Sequence, residues 1–512
     1  MRGDWIELKA GCAGKSVMEA LQGQGVYMAG NCGSNGTCGK CRVRFLSDAP
    51  DPSAADLKLL PSDAIARGER LACKAQAAAG MRLALIAPDE NAMKVESSFS
   101  MPSMPENALS EKLSEKMSEK AAGHAGPAGT LPGQAVAAVD IGTTTIVMSA
   151  VETGTGRILG TVTGINHQRA WGADVISRME ASNQGKGGEL QQSILTDLDE
   201  LRERLGLPAD VHMLISGNTT MEHLLQGLPC RTLGVAPYIP VDISLHEYKN
   251  MTILPGISTF VGADIVSGIV ACGMDRSEEI CLLVDLGTNG EMAIGNRDRI
   301  LSASTAAGPA FEGGNISCGI PGIPGAVCSV EIEDGEARVQ TIGGGPAAGI
   351  CGTGVLEVVY ELLKEELIDE TGLLEDDYFD DGFPVAEGVV FTGKDVREVQ
   401  LAKSAVRAGM EVLIEAYGTD YDHIGKLYLA GGFGQKIDLK KAVGIGLLPE
   451  ELLDRMYPVG NSSLAGAVMA ACDPAILERM AETARKSEET ALAESPLFSD
   501  LYMDHMFFPE QD

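Results

Sequence analysis

Four cysteines carry the first sign of chemistry. Cys32, Cys38 and Cys41 stand in NCGSNGTCGKC with C-x5-C-x2-C spacing, and Cys73 follows inside RLACK. Thiolates carry charge and are not buried unpaired, so a metal centre is their natural partner. One zinc ordinarily takes two facing two-cysteine knuckles. A three-cysteine loop with a distant fourth is nearer the plant-type [2Fe–2S] spacing C-x4-C-x2-C…C, lengthened by one residue in its first gap. Glycines at 33, 36 and 39 let backbone N–H groups point at cluster sulfurs. The spacing predicts a [2Fe–2S] site with these four thiolates as ligands; zinc, or a role in packing or disulfides, is the alternative.

A second set of residues points to phosphate. AVAAVDIGTTTIVMSAV (135–151) is an apolar strand ending in Asp140, a turn Ile141-Gly142-Thr143-Thr144-Thr145, and a second strand. CLLVDLGTNGEMAIG (281–295) repeats the plan with Asp285 and Gly287-Thr288-Asn289-Gly290-Glu291. KLYLAGGFG (426–434) is an apolar strand ending in Gly431-Gly432-Phe433-Gly434. Two such hairpins in one chain form an internal repeat. Their turns offer backbone N–H groups and threonine hydroxyls to phosphate oxygens. The carboxylate at each strand end can hold Mg²⁺ through water and orient a nucleophile. No G-x4-G-K-[ST] is present, so this is not a Walker A loop. The three stretches resemble the phosphate-1, phosphate-2 and adenosine motifs of the actin-like ATPase superfamily, which includes sugar kinases, Hsp70 and actin. The alternative is ordinary tight hairpins in a Rossmann-like protein.

The elements that position these residues divide the chain. With 512 residues it exceeds one core. Residues 1–97 read as a small β-rich module: a helix over Val17 to Leu21, a strand over Arg42 to Leu46, a closing strand over Met81 to Ile86, and Cys12 in the core. Strand, helix, cluster loop, strand, distant cysteine and strand resemble a ferredoxin β-grasp. Residues 98–134, with SEKLSEKMSEK and a Gly/Pro/Ala run, read as a flexible linker. Residues 135–275 and 276–485 read as the two subdomains of a duplicated α/β ATPase with RNase H-like halves, the last helix returning to the first. Residues 486–512 form an acidic tail whose Phe498, Phe507 and Phe508 are expected to dock on the body.

Net charge is −32, and residues 1–97 carry 12 Lys+Arg against 11 Asp+Glu, so the acidity lies in the body. Such a body does not bind nucleic acid by neutralising phosphates. No apolar run reaches the length of a membrane span, and MRGDWIELK lacks a signal-peptide core. A cytoplasmic protein with reduced thiols is expected. The cysteines at 230, 272, 281, 318, 328, 351 and 472 lack ligand spacing and read as buried or neutral thiols.

Other segments are less specific. Asp264 opens a helix over 265–272, as an N-terminal carboxylate or as a polar group facing the cleft. Gly343 to Gly345 and Gly349 to Gly354 precede a helix over 355–363 and serve either an anion or close packing. Gly217-Asn218-Thr219-Thr220 opens a helix over 221–225, and Ser462-Ser463 caps one over 464–471.

A ferredoxin module, a tether and an actin-like ATPase body together resemble the reductive activators of corrinoid proteins, the RACo-type family. GNCGSNGTCGKCRVRF and GERLACK carry the likeness in the first module. NHQRAWGADVISRM, SGNTTMEHLLQG, AGPAFEGGNISCGIPGIPGA and AAGICGTGVLEVV carry it in the body. The family often has an extra middle domain, and residues 98–134 are too few for it. The resemblance implies ATP-dependent one-electron reduction of a Co(II) corrinoid to Co(I) for a methyltransferase. It implies Cys32, Cys38, Cys41 and Cys73 on the cluster, and Asp140 with Gly142 to Thr145 on phosphate and Mg²⁺. Asp285 with Gly287 to Asn289 would serve the other phosphate loop, and Gly431, Gly432 and Gly434 the adenosine. The 308–320 stretch is expected to face the corrinoid partner. A low-potential electron donor is a second partner, and a homodimer is left open. Rival readings are a small-molecule kinase fused to a ferredoxin, and a redox-sensing nucleotide switch.

Overall fold

The computed structural model describes residues 5–86 and 135–510, apart from 13, 23, 25, 27, 29–35, 38, 47–48 and 154. Cys32, Cys38 and the whole expected linker lie outside the described residues.

The first module is a four-stranded antiparallel sheet over a short helix. Its strands are β1 (Ile6–Glu7), β2 (Arg42–Phe45), β3 (Glu69–Leu71) and β4 (Arg82–Leu85), in the order β1-β4-β2-β3. In β2 the alternation seen in the sequence decides the faces: Val43 and Phe45 are buried while Arg44 is exposed. The helix Val17–Gln22 places Val17 and Leu21 in the same core as Val43, Leu71 and Leu83. Cys12 joins that core as expected. Asp56 is a buried tie. Its carboxylate closes a capping box with Ser53 and also accepts from Leu71 N at 2.7 Å, so a helix start anchors β3.

The body is built twice on one plan. The first half contains β5 (Ala135–Ile141), β6 (Thr145–Glu152), β7 (Arg157–Ile165), β8 (Met213–Gly217), β9 (His246–Tyr248) and β10 (Met251–Ile253). The second opens with β11 (Ile280–Leu286), β12 (Gly290–Gly295) and β13 (Ile300–Thr305). An insert follows, made of β14 (Ala326–Glu333), β15 (Glu336–Thr341), β16 (Gly349–Ile350) and the hairpin β17 (Phe383–Ala386) and β18 (Val389–Phe391). The chain then returns to the second sheet with β19 (Ile424–Ala430), β20 (Met456–Gly460) and β21 (Ser487–Glu489).

The sheet orders are β7-β6-β5-β8-β10-β9 and β20-β19-β11-β12-β13-β21. Ignoring the added edge strands, β7-β6-β5-β8-β10 and β13-β12-β11-β19-β20 are the same order. In both, the first three strands form an antiparallel meander and the last two join in parallel. The repeat read from the two hairpins is therefore a repeat of whole sheets.

The halves meet through helices. Ala263–Ala271 turns Val266 and Val270 to the first sheet and Ile265 and Ile269 to the second. Ser462–Cys472 packs against it and on the first sheet. A side chain at Gly268 would strike Ser462 Oγ at 2.7 Å, and one at Gly466 would strike the Ser267 backbone at 2.5 Å. The two helices thus touch nearly backbone to backbone.

The tail docks by one phenylalanine more than by the others. Phe508 is buried, Phe498 packs partly against the second-half core, and Phe507 is exposed. Lys403, itself buried, donates to the carbonyls of His505 and Phe507. No helix among the described residues is long and apolar enough to cross a membrane.

Candidate functional site: a carboxylate-lined cleft and a thiol pair

Cys41 immediately precedes β2 and Cys73 follows β3. The pairing of Arg42 with Leu71 brings their backbones together, and their Sγ atoms lie 3.3 Å apart in the core. A tetrahedral metal with bonds near ~2.3 Å holds two thiolates roughly 3.7 Å apart, so a few tenths of an ångström of opening admits one. Gly36 and Gly39 adopt φ of 75° and 70°, a loop path that favours glycine. These two thiols, with the backbone at Gly36 and Gly39, fit a cluster. No three His, Cys, Asp or Glu among the described residues could hold a metal, but Cys32 and Cys38 are not among them.

The cleft is built at the strand ends of the two sheets. Gly142 N donates to Thr145 O at 2.9 Å, and a side chain at 142 would strike that oxygen, so the first hairpin closes only with glycine there. Three groups hold its turn. Asn166 Nδ2 donates to Gly142 O at 2.8 Å, Asn218 Nδ2 to Thr143 Oγ1 at 3.1 Å, and buried Arg178 to Thr143 O. Burial lowers the Arg178 pKa to about 9. In the second hairpin Gly287 N donates to Asn289 O at 3.1 Å.

Asp140 is gripped by a distant helix start. Asn461 Nδ2 donates to its Oδ2 at 2.8 Å and Ser463 Oγ to its Oδ1 at 2.7 Å. The helix cap is Asn461, accepting from Leu464 N, and not the serine pair expected from the sequence. Burial raises the Asp140 pKa against those two hydrogen bonds. Asp285, its counterpart at the end of β11, is pushed up to about 8 by burial and then by Asp264, Asp140 and Glu312. Asp264 is raised to about 7 by burial, with Asp140 adding to it, while the Ile265 N–H opposes. Both readings of Asp264 therefore hold: it sits in a helix first turn and faces the other carboxylates. Glu291 is raised for the same reasons. Burial together with these neighbours thus raises the proton affinity of Asp264, Asp285 and Glu291.

Gly431 has φ of 86°, and a side chain there would strike Asp285 Oδ1 at 2.7 Å. The GGFG turn thus starts a short helix, Gly431–Gly434, directly against the second carboxylate.

Glu312 was not singled out in the sequence. Its Oε2 accepts from Thr144 Oγ1 at 3.1 Å and from Thr288 Oγ1 at 3.0 Å, so one carboxylate bridges both hairpins. The neighbouring Phe311 stacks on Phe433 at 4.8 Å. Within the 308–320 stretch, expected to face a partner, this glutamate turns into the cleft. Its glycines gave no signal that a carboxylate among them would be functional. The 349–354 glycines resolve toward packing: side chains at Gly352 and Gly354 would overlap the carbonyls of Phe311 and Val327.

Comparison with known proteins agrees with this layout. Residues 2–78 match the 2Fe-2S iron–sulfur cluster binding domain, 135–277 the RACo middle region, and 279–512 the C-terminal domain of RACo, described as the ASKHA domain. The chain is 31% identical over 415 residues to the corrinoid activation enzyme RamQ of Eubacterium limosum, covering 72% of this chain and 70% of that protein. The chain belongs to the family of reductive activators of corrinoid proteins. A reductase of the Co(II) methylated amine-specific corrinoid protein from Methanosarcina barkeri is 31% identical over 273 residues, covering 49% of this chain and 50% of that one. A solved reductive activator for the corrinoid iron–sulfur protein aligns over 99% of both chains, with TM-score 0.68 and 26% identity. One expectation is corrected. The activator family's middle region is present, at 135–277, and it carries the first Asp-x-Gly-Thr hairpin.

Proposed function

We propose that this activator returns an inactivated corrinoid protein from Co(II) to Co(I), one electron per event, with ATP consumed in its cleft. The observation that carries the reading is that one chain builds both a paired-thiol site on a ferredoxin sheet and a cleft between two duplicated halves. A [2Fe–2S] cluster held by Cys32, Cys38, Cys41 and Cys73 supplies single electrons near about −400 mV.

Thr143, Thr144 and Thr145 with Gly142 receive one end of the phosphate chain, and Gly287, Thr288 and Asn289 the other. Asp140 and Asp285 face one another from equivalent strand ends and hold Mg²⁺ through water. Asn461 and Ser463 keep Asp140 aimed. Gly431, Gly432 and Gly434 lie against the adenosine because their turn offers backbone without side chains. Corrinoid Co(II) is in general harder to reduce than such a cluster, and ATP-driven closure of the halves about the 263–271 and 462–472 helices offsets that uphill step. For a one-electron couple a gap of ~100 mV is ~2.3 kcal/mol, or roughly fiftyfold in equilibrium. The partners are the corrinoid protein of a methyltransferase system and a low-potential donor that reduces the cluster, in the cytoplasm.

The test is anaerobic. Reduced protein, ATP and a Co(II) corrinoid protein are mixed, and Co(I) is followed by its visible absorption. Co(I) appearing only with ATP supports the activator; phosphate transfer to a small acceptor with no Co(I) supports a kinase. Nucleotide binding with neither supports a switch.

A further inference from the structure

The turn at 309–319 touches the cleft on one side and the first module on the other. On the cleft side, Glu312 bridges Thr144 and Thr288, and Phe311 stacks on Phe433, so two adjacent residues reach all three nucleotide motifs. On the other side, Lys40 Nζ donates to the carbonyls of Gly313 and Gly319, each at 3.4 Å. Lys40 immediately precedes Cys41, whose Sγ faces Cys73.

The turn has little room to deform between these contacts. Gly313 has φ of 74°, and a side chain there would strike Ile320 O at 2.6 Å. A side chain at Gly319 would overlap Gly313 O, and one at Gly352 would overlap Phe311 O. Backbone packed on backbone moves as a unit or not at all.

We infer that Glu312 and Lys40 are the two ends of a coupling element through which phosphate in the cleft repositions Lys40 and the adjoining Cys41. The inference rests on the nucleotide reading proposed above. A carboxylate accepting from both hairpin threonines takes the hydroxyls that phosphate oxygens need. Phosphates carry the same sign of charge, so their arrival expels it. Glu312 leaves, the 309–319 turn moves with it, and the Gly313 and Gly319 carbonyls shift under Lys40. Glu312 is a binding residue of the cleft, and Lys40 is a positioning residue that acts through the Gly313 and Gly319 carbonyls. The same linkage runs backward: a module seated on the turn favours the state in which Glu312 closes the cleft.

Backbone hydrogen exchange on the full-length, cluster-loaded protein tests this, with and without Mg²⁺ and a non-hydrolysable ATP analogue. In the native protein the analogue protects 142–145 and 287–290 and changes exchange of 39–46 by about fivefold. In Lys40→Met the hairpins are still protected and the analogue binds up to about fivefold tighter, because the contact that favours the closed cleft is gone, but the change at 39–46 is lost. Iron content and visible circular dichroism confirm that the variant keeps its cluster. In Glu312→Ala the 39–46 segment exchanges without nucleotide as it does in the nucleotide-bound native protein. The inference is overturned if Lys40→Met retains the response, or if native hairpins become protected while 39–46 stays unchanged. Hairpins that show no protection in the native protein would instead remove the nucleotide reading, and the coupling with it.

Discussion

Ser463 reaches back 323 positions to Asp140, donating its hydroxyl to Oδ1 at 2.7 Å, while Asn461 from the same helix start holds Oδ2. Asp140, at the start of the first hairpin, is thus held by the helix that follows β20. Replacing Ser463 with Ala frees one oxygen of Asp140 without removing its charge. ATP hydrolysis is expected to fall about 10- to 100-fold, the usual cost of losing a supporting hydrogen bond behind a ligand. Analogue affinity, measured by calorimetry alongside, separates lost binding from lost turnover.

Gly431 stands where only glycine fits. Alanine there meets a left-handed backbone and the Asp285 carboxylate together. The variant is expected to lose about 1–3 kcal/mol at that turn and to bind ATP more weakly. Titration with a fluorescent ATP analogue reads the loss, and alanine at Gly345, where the added carbon meets nothing within 4 Å, is the matched control.

Glu411 links acidity to stability. Burial raises its pKa, but His505 and Arg407 beside it outweigh that and bring it down to about 2. Arg407 Nε lies 2.8 Å away and Tyr421 OH 3.0 Å. An unfolded glutamate titrates near ~4.3, so the unfolded chain binds the proton first on acidification. The contribution is complete above ~4.3 and is lost as pH falls toward about 2. Urea midpoints measured across that window should drop more steeply in the native protein than in Glu411→Gln.

Lys403 pins the tail. Methionine in its place leaves the carbonyls of His505 and Phe507 without this donor and removes the cation 4.9 Å from the Phe508 ring. A loss of about 2 kcal/mol or more is expected. Thermal melts register it, and proteolysis of the last residues should quicken.

Cys41→Ala and Cys73→Ala each remove one of the two facing thiols. Either variant is expected to lose iron and visible colour while still binding the analogue, because the cleft lies in a separate core. Iron assay and calorimetry on the same sample check both halves of the statement.

The chain's spacing alone determined much of this protein. Cysteines separated by five and two residues name a metal chemistry, and Asp-x-Gly-Thr turns after apolar strands name phosphate, because both depend on residues close in the chain. Alternation in Arg42 to Phe45 likewise placed Val43 inward, since a strand's faces follow from its period of two. Which groups aim those residues was decided only by tertiary structure. Nothing near Glu312 announces Thr144 and Thr288, and the cap expected at Ser462-Ser463 is Asn461, with Ser463 turned to a carboxylate on another sheet. A hydrogen-bond partner hundreds of residues away is chosen by how two sheets and two helices pack, and that choice leaves no local pattern in the chain.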